Sequence, residues 1–185
     1  MKKVLLYFGK TPAKQLPVSA ILDGLQIPYE CIDDTQTSQT VGYLMGLEGF
    51  HETDQPGTHF PMDFMLISDM TDDEILAFNQ NCQREMCEMK QKAMLTMHNV
   101  RWHLIDLLSE IQKEHQYFEY AEQIQKILMD SQHLIIEDYT KDSWATYEQA
   151  FYHAYDLLQK ENELASIQQG YEQLVTAKTN LIKVN

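Results

Sequence analysis

Basic residues are scarce in this sequence: its 185 residues include 14 Lys and Arg against 28 Asp and Glu, for a formal charge of -14. Nucleic acids and anionic membrane surfaces are bound through clustered Lys and Arg, so neither is an expected partner. The segments 1–70, 71–118 and 119–185 carry net charges of -5, -3 and -6, so no segment hides a net basic charge.

Cysteine and long hydrophobic runs are also scarce. Cys31, Cys82 and Cys87 are odd in number and include no Cys-x-x-Cys pair, which argues against a disulfide framework and a zinc knuckle. The first apolar run, Val4–Phe8, is shorter than the roughly 7 to 15 residues of a signal peptide. No later run approaches the roughly 20 apolar residues of a membrane span. We therefore expect a cytoplasmic protein with reduced thiols.

Proline and glycine are concentrated near the start, since all five prolines and six of the seven glycines precede residue 62. Apolar runs there predict strands at 4–8, 29–32, 64–67 and 93–96, with helical spacing between them and a mobile polar loop at 51–61. Strands that alternate with helices predict a small four-stranded, mostly parallel α/β sandwich over residues 1–118. By analogy with other open α/β sheets, the expected strand order is 2-1-3-4.

Three local signals refine this N-terminal domain. Ser68 or Thr71 is expected to cap the helix after the third strand. Asn99 is expected to be the N-cap of the strongest helix in this part of the chain. Gly42 and Gly46 lie four residues apart, which would place them on one face of a short helix and permit close packing.

The C-terminal region, residues 119–185, has no proline and only one glycine. Its apolar periodicity predicts three amphipathic helices with short connections, which favour an antiparallel three-helix bundle. The first of these helices is expected to grow directly out of the helix at Asn99. The fold class is therefore α+β or α/β with a C-terminal bundle.

This region also carries a specific motif, Asp138-Tyr139-Thr140-Lys141-Asp142-Ser143-Trp144, followed by Ala150, Ala154, Tyr171, Leu174 and Ala177. The pattern over residues 119–183 resembles the repeat called "found in various architectures" (FIVAR). That resemblance implies a three-helix bundle associated with binding. From the residues themselves, Thr140 is expected to accept the backbone N–H of Ser143, and Trp144 to enter the core in the first helical turn.

Residues 1–118 resemble a bacterial family known only as domain of unknown function 3783. The resemblance rests on Val-Gly-Tyr-Leu-Met-Gly-Leu-Glu-Gly-Phe at 41–50, on the strand at Met65 and on Lys-Ala-Met-Leu-Thr-Met-His-Asn-Val-Arg-Trp at 92–102. Met97 stands where the family commonly has proline. The resemblance implies a compact α/β domain and carries no function.

Five residues of this domain are candidates for ligand binding: Lys92, Thr96, Asn99, Trp102 and Ser68. They lie where predicted strands end and helices begin, the position at which open α/β sheets bind ligands. The alternative, which we favour, assigns them structural roles: Asn99 in capping, Thr96 in the turn, Trp102 in packing and Lys92 at the surface.

The sequence shows no convincing catalytic, metal or cofactor site. Gly9-Lys10-Thr11 resembles part of a phosphate loop but lacks the upstream glycine, and Pro12 removes an N–H donor. The seven histidines include no His-Glu-x-x-His pattern, and no Gly-x-Ser-x-Gly elbow occurs. These patterns favour a non-enzymatic protein and leave enzymatic activity open.

Aromatic residues of the predicted bundle exceed what three helical seams bury comfortably, and Tyr152 and Tyr155 fall on the flank of their stripe. Either they contact a partner protein or they pack on the α/β domain. The sequence thus supports two functional hypotheses. The first is a protein-interaction or scaffolding module, as a monomer or weak dimer. The second is an α/β domain that binds a nucleotide or phosphorylated metabolite, or an enzyme, that uses the carboxyl ends of the strands. A capped sheet edge with exposed tyrosines would favour the first; a concave polar pocket at the strand ends would favour the second.

Overall fold

The computed structural model describes residues 3–160 and 162–184 and contains one four-stranded sheet. Its strands are β1 (Lys3–Phe8), β2 (Tyr29–Ile32), β3 (Asp63–Ser68) and β4 (Gln91–Met94). The order β2-β1-β3-β4 confirms the predicted one. β2 is parallel to β1 and β4 is parallel to β3, whereas β3 is antiparallel to β1 because the chain enters β3 at the edge where β1 ends.

The described residues also form six α-helices: α1 (Gln15–Gly24), α2 (Val41–Leu44), α3 (Asp72–Arg84), α4 (Leu104–Asp130), α5 (Lys141–Leu158) and α6 (Leu164–Thr179). The chain divides into two compact units, Met1–Ile111 and Gln112–Asn185. The division falls inside α4, so the first helix of the C-terminal unit continues the last helix of the N-terminal one.

The sheet of the N-terminal unit is covered on both faces, because its strand residues alternate between two apolar clusters. Val4 and Leu6 of β1 pack in a cluster with residues of α1 and α3. Leu5 and Tyr7 point the other way, into a cluster with residues of α2 and the first turns of α4. Continuous apolar strands such as β1 and β3 are typical of sheets buried on both faces.

The C-terminal unit has its own core, to which all three helices contribute. The buried members are Ile124, Leu128, Tyr147, Ala154, Leu157, Ile167, Leu174 and Ala177. Gly170 lets the Leu157 side chain pack closely on α6, because a Cβ at this position would lie 2.3 Å from Leu157 Cδ1. The predicted α+β architecture with C-terminal helices is confirmed.

The expected helix start at Asn99 is wrong, since α4 begins five residues later at Leu104. Asn99 Oδ1 instead accepts from the backbone N–H of Thr96, and its Nδ2 donates to the carbonyl of Met94. The first amides of α4 find their acceptors elsewhere: Leu104 N–H donates to Gln39 O and Ile105 N–H to Thr37 O.

The residues that precede α4 in turn accept hydrogen bonds from the first amides of α2. The first two amides of α2, on Val41 and Gly42, donate to the carbonyls of Trp102 and Val100. The two helix N-termini therefore exchange backbone hydrogen bonds through the segments 37–42 and 100–105, with an isolated bridge between Thr40 and His103. The first amides of both helices are satisfied by a distant segment, and in α2 the Thr40 hydroxyl also accepts from the N–H of Tyr43 as a neighbouring cap.

The structure decides between the two residues predicted to cap α3. Thr71, and not Ser68, caps α3: its hydroxyl accepts from Glu74 N–H, and the Glu74 carboxylate accepts from Thr71 N–H. Ser68 is the buried last residue of β3. β4 ends at Met94, two residues before the predicted end.

Gly42 and Gly46 do not share a helix face. α2 ends at Leu44, and Gly46 follows it with a φ of +70°, a conformation that favours glycine after a helix. Gly42 does allow a close approach, because a Cβ there would lie 2.6 Å from ring atoms of Phe50.

Thr140 is the N-cap residue of α5, but its side chain does not accept the Ser143 amide as expected. The two side-chain hydroxyls lie 2.9 Å apart, and Ser143 Oγ also donates to the carbonyl of Thr140. Ser143 Oγ accepts from Ile182 N–H in turn, which ties the end of the chain to the start of α5. Trp144 is partly buried between the rings of Tyr139 and Tyr147.

Candidate interaction groove

The sheet edge at which β1 and β2 end is crossed by residues 51–61, a segment without regular secondary structure that we call the strap. Three consecutive buried residues, Thr37, Ser38 and Gln39, hold it. Gln39 forms two hydrogen bonds with the backbone of Thr53, donating from Nε2 and accepting at Oε1. Thr37 forms a similar pair with the backbone of Thr58. The segment expected to be mobile is therefore anchored along its length.

A second set of contacts holds the strap at Tyr7, which is 1% exposed. The Tyr7 hydroxyl donates to Asp34 Oδ1 at 2.6 Å and accepts from the backbone N–H of Phe60 at 2.9 Å. His59 Nδ1 lies 3.1 Å from Asp34 Oδ2. Burial, with help from the Asp34 hydrogen bond, raises the pKa of Tyr7 to about 12. The same hydrogen bond from Tyr7 is the main reason that the pKa of Asp34 is lowered.

The turn after β1 is also closed by internal contacts. The backbone amides of Lys10 and Thr11 both donate to Asp63 Oδ1, at 3.1 and 2.7 Å. Lys14 Nζ lies 3.3 Å from the other oxygen of this buried carboxylate. Asp63 thus occupies the amides that a phosphate group would use in a phosphate loop, as expected for an ordinary strand-to-helix turn.

The predicted ligand-binding residues Ser68, Thr96 and Asn99 lie at or after the ends of the neighbouring parallel strands β3 and β4. Both polar atoms of the Asn99 side chain are used within its own turn, and Thr96 Oγ1 accepts from the amides of His98 and Asn99. Trp102 is 41% exposed.

Lys92 belongs to β4 and interacts electrostatically with Cys82 and Glu88. Burial is the main cause that lowers the pKa of Lys92, and burial with the neighbouring Cys87 raises the pKa of Cys82 to about 12. A thiol with such a pKa is protonated at neutral pH, which suits a core position. Among residues 3–160 and 162–184, no group of three His, Cys, Asp or Glu side chains is arranged to hold a metal ion.

In the C-terminal unit, an open groove of about 590 Å³ lies between α4 and α5. Its floor includes Leu128, Phe151 and Leu158, which also belong to the core of this unit. Phe118 and Met129 of α4 line it and are 63% and 56% exposed. We refer to this feature as the α4/α5 groove.

Tyr152 and Tyr155, the predicted partner-binding residues, both line the α4/α5 groove from the side of α5. They are 63% and 51% exposed, so their rings present area that the core does not use. Phe151 makes an edge contact with Tyr152, with ring centroids 5.7 Å apart, which helps to fix that ring. The polar residues in the lining are few, namely Glu122, Gln125, Gln132 and Gln159.

Sequence reasoning missed the α4 wall of the groove. Phe118 has helical spacing with Leu104 and Leu108, which is typical of a core stripe, but it is exposed. The signal was the width of the apolar arc on α4: Phe118, Ala121 and Met129 lie beside Ile124 and Leu128, so the arc is wider than one seam requires.

A second groove, of about 800 Å³, separates α5 from α6 and has a different character. Its lining is dominated by amides and hydroxyls: Thr146, Gln149, Gln169, Gln173, Thr176 and Asn180. It lacks the exposed aromatic rings that distinguish the α4/α5 groove.

Residues 63–118 match the family model described as domain of unknown function DUF3783. The match includes β3, α3, β4 and the 92–102 motif, and it ends within α4. The 41–50 motif lies outside it, although this motif exchanges backbone hydrogen bonds with residues 100 and 102. The resemblance of residues 119–183 to the FIVAR repeat remains a prediction. Searches of curated proteins and of solved structures gave no match.

Proposed function

We propose that this chain is a non-catalytic protein-interaction module and that the α4/α5 groove is its contact surface. The observation that carries the proposal is the grouping of four exposed large side chains, Phe118, Met129, Tyr152 and Tyr155, around one apolar groove. Contiguous exposed apolar surface with a polar rim is typical of interaction sites. Tyrosine offers contact area at a low cost in side-chain entropy.

The sheet edge supports the same proposal by contrast. At the side of the sheet where β1 and β2 end, the side chains of Tyr7 and Asp63 are bonded to neighbouring parts of the same unit, and the strap crosses this side. β3 and β4 end on the opposite side, since β3 is antiparallel to β1, and there the Asn99 side chain is bonded within its own turn. Internal hydrogen bonds thus occupy polar side chains on both sides where a ligand of an α/β sheet could bind, which makes small-ligand binding the weaker alternative. Within the described residues, no helix has the length and apolarity needed to cross a bilayer.

A photo-crosslinking amino acid at position 152 tests the proposal in the protein's own host cells. The matched control carries the same amino acid at Ile182, which is 60% exposed and lies in the same unit outside the groove. We expect one discrete crosslinked protein from position 152, absent from position 182 and weakened at least fivefold by Tyr155→Ala. Equal labelling from both positions, or none from either, would overturn the proposal.

A further inference from the structure

The shape of the α4/α5 groove restricts what can fill it. Its α4 wall runs from Phe118 to Met129, which at 1.5 Å per residue is about 16 Å, or three turns of a helix. The facing wall on α5 runs from Phe151 to Gln159. Two neighbouring helices thus form an open groove, the kind of site into which a further helix packs in a bundle.

Backbone hydrogen bonding favours a helical segment over an extended one as the ligand of this groove. The walls are the helices α4 and α5, whose backbone groups are bonded within each helix. An extended segment would gain no backbone partners here and would leave its own N–H and C=O groups over an apolar floor. A helix satisfies its own backbone and presents only side chains, as in other helix-in-groove complexes.

The charge around the α4/α5 groove indicates which kind of helix would bind there. Residues 112–185 contain 6 Lys and 12 Asp or Glu, and the charged side chain in the groove lining is Glu122. Lys160, close to the α5 wall, is already bound to Asp156 at 2.6 Å. A second copy of this chain carries the same excess of acid and would be repelled. A helix with Lys or Arg beside its apolar stripe would be attracted.

We propose that the α4/α5 groove binds a cationic amphipathic helix of about three turns, with apolar anchors at i, i+3 or i+4, and i+7. This inference rests on the proposed function and specifies its partner. The apolar anchors pack on Leu128 and Phe151 between Phe118 and Tyr152, and the basic flank faces Glu122.

The test measures binding of labelled peptides of about 18 residues to the full chain by fluorescence anisotropy. The first peptide has Leu at the anchor positions and Lys on the flanks. The second replaces Lys by Glu, and the third scrambles the first to remove its helical period. We expect the first peptide to bind at least tenfold more tightly than either of the others. Tyr152→Ala with Tyr155→Ala should weaken its binding tenfold, and Glu122→Gln should weaken it several-fold.

The matched control is Ile135→Ala with Ile136→Ala, since these residues are 57% and 52% exposed in the same unit but lie outside the groove. This variant should bind like the wild type. Equal binding of the scrambled peptide, or no effect of the tyrosine substitutions, would overturn the inference. Equal binding of the Glu peptide would refute its charge preference. If no peptide binds while position 152 still crosslinks a partner, the inference fails and the proposed function stands.

Discussion

The hydroxyl of Tyr7 joins three segments, because it belongs to β1, donates to Asp34 after β2 and accepts from Phe60 in the strap. Its raised pKa gives a pH dependence with a defined sign. The folded chain favours the neutral phenol, so its contribution to stability is complete below the ordinary tyrosine pKa of 10 and is lost as the pH rises toward about 12.

Tyr7→Phe should therefore flatten the alkaline side of the stability profile. We expect the substitution to cost about 1 to 2 kcal/mol at neutral pH, because the Phe60 amide loses its acceptor. Between pH 10 and 12 the free energy of unfolding should fall less steeply in the variant than in the wild type. Urea denaturation at several pH values measures both effects. Parallel profiles would show that another group dominates in this range.

Trp144 is a second residue with a defined role. Its ring lies between Tyr139 and Tyr147, with centroid distances of 5.9 and 5.7 Å. Trp144→Ala should lower the free energy of unfolding of the C-terminal unit by about 3 kcal/mol, because the aromatic contacts and buried area are lost. Trp102→Ala, at a position that is 41% exposed, is the matched control and should cost less than about 1 kcal/mol. A melting temperature unchanged by Trp144→Ala would contradict this packing.

Secondary-structure elements differ in how far local sequence predicts them. β1 and β3 can be predicted from their apolar runs alone. The start of α3 can be predicted from the capping box of Thr71 and Glu74. The start of α4 could not be predicted in this way, because the amides of Leu104 and Ile105 bond to carbonyls more than 60 residues away. Asn is a residue type that is preferred at N-caps, yet the side chain of Asn99 completes a turn instead.

The close approach of the strap to the segment after β2 depends on one glycine, Gly57, which gives a prediction for this element. A Cβ at Gly57 would lie 1.9 Å from the carbonyl oxygen of Asp34, and the backbone cannot rotate away as a side chain can. Gly57→Ala should cost about 2 kcal/mol or more, in the range of overpacked sites. Gly24→Ala is the control, because a Cβ there has open space at the end of α1. It should be neutral or stabilising by up to about 1 kcal/mol. Urea denaturation measures the change in the free energy of unfolding for both variants. Equal changes would contradict the close approach of the backbone at Gly57.

At the scale of the whole molecule, composition pointed to residues that the motifs did not. The excess of tyrosines left two alternatives, contact with a partner or packing on the α/β domain, and Tyr152 and Tyr155 are exposed and line one groove. The opposite wall was not predicted, because Phe118 fits a core period and its exposure depends on where α5 packs. The strand-end candidates were found by position alone. The hydrogen bonds that occupy Asn99 lie within its own turn, whereas those that occupy Asp63 come from residues about 50 positions away.

The charge of -14 gives a prediction for the whole chain. Like charges repel in the compact state, and added salt screens them. Raising sodium chloride from about 0.05 M to about 0.5 M should raise the melting temperature by a few degrees, since the Debye length falls from over 10 Å to below 5 Å. Potassium chloride should act equally, which separates screening from binding of a particular cation. A melting temperature that falls with salt would show that attractive ion pairs dominate.

The exchange of hydrogen bonds between the N-termini of α2 and α4 also bears on how the chain folds during its synthesis. Thr40 and His103 bridge across about 60 residues of sequence. At about 5 to 20 residues per second, the ribosome adds those residues in about 3 to 12 seconds. Throughout that interval the amides of Val41 and Gly42 have no acceptor from the later segment. The N-terminal unit is therefore completed only after the start of α4 has left the ribosome, and a nascent chain stalled before this point should remain sensitive to protease.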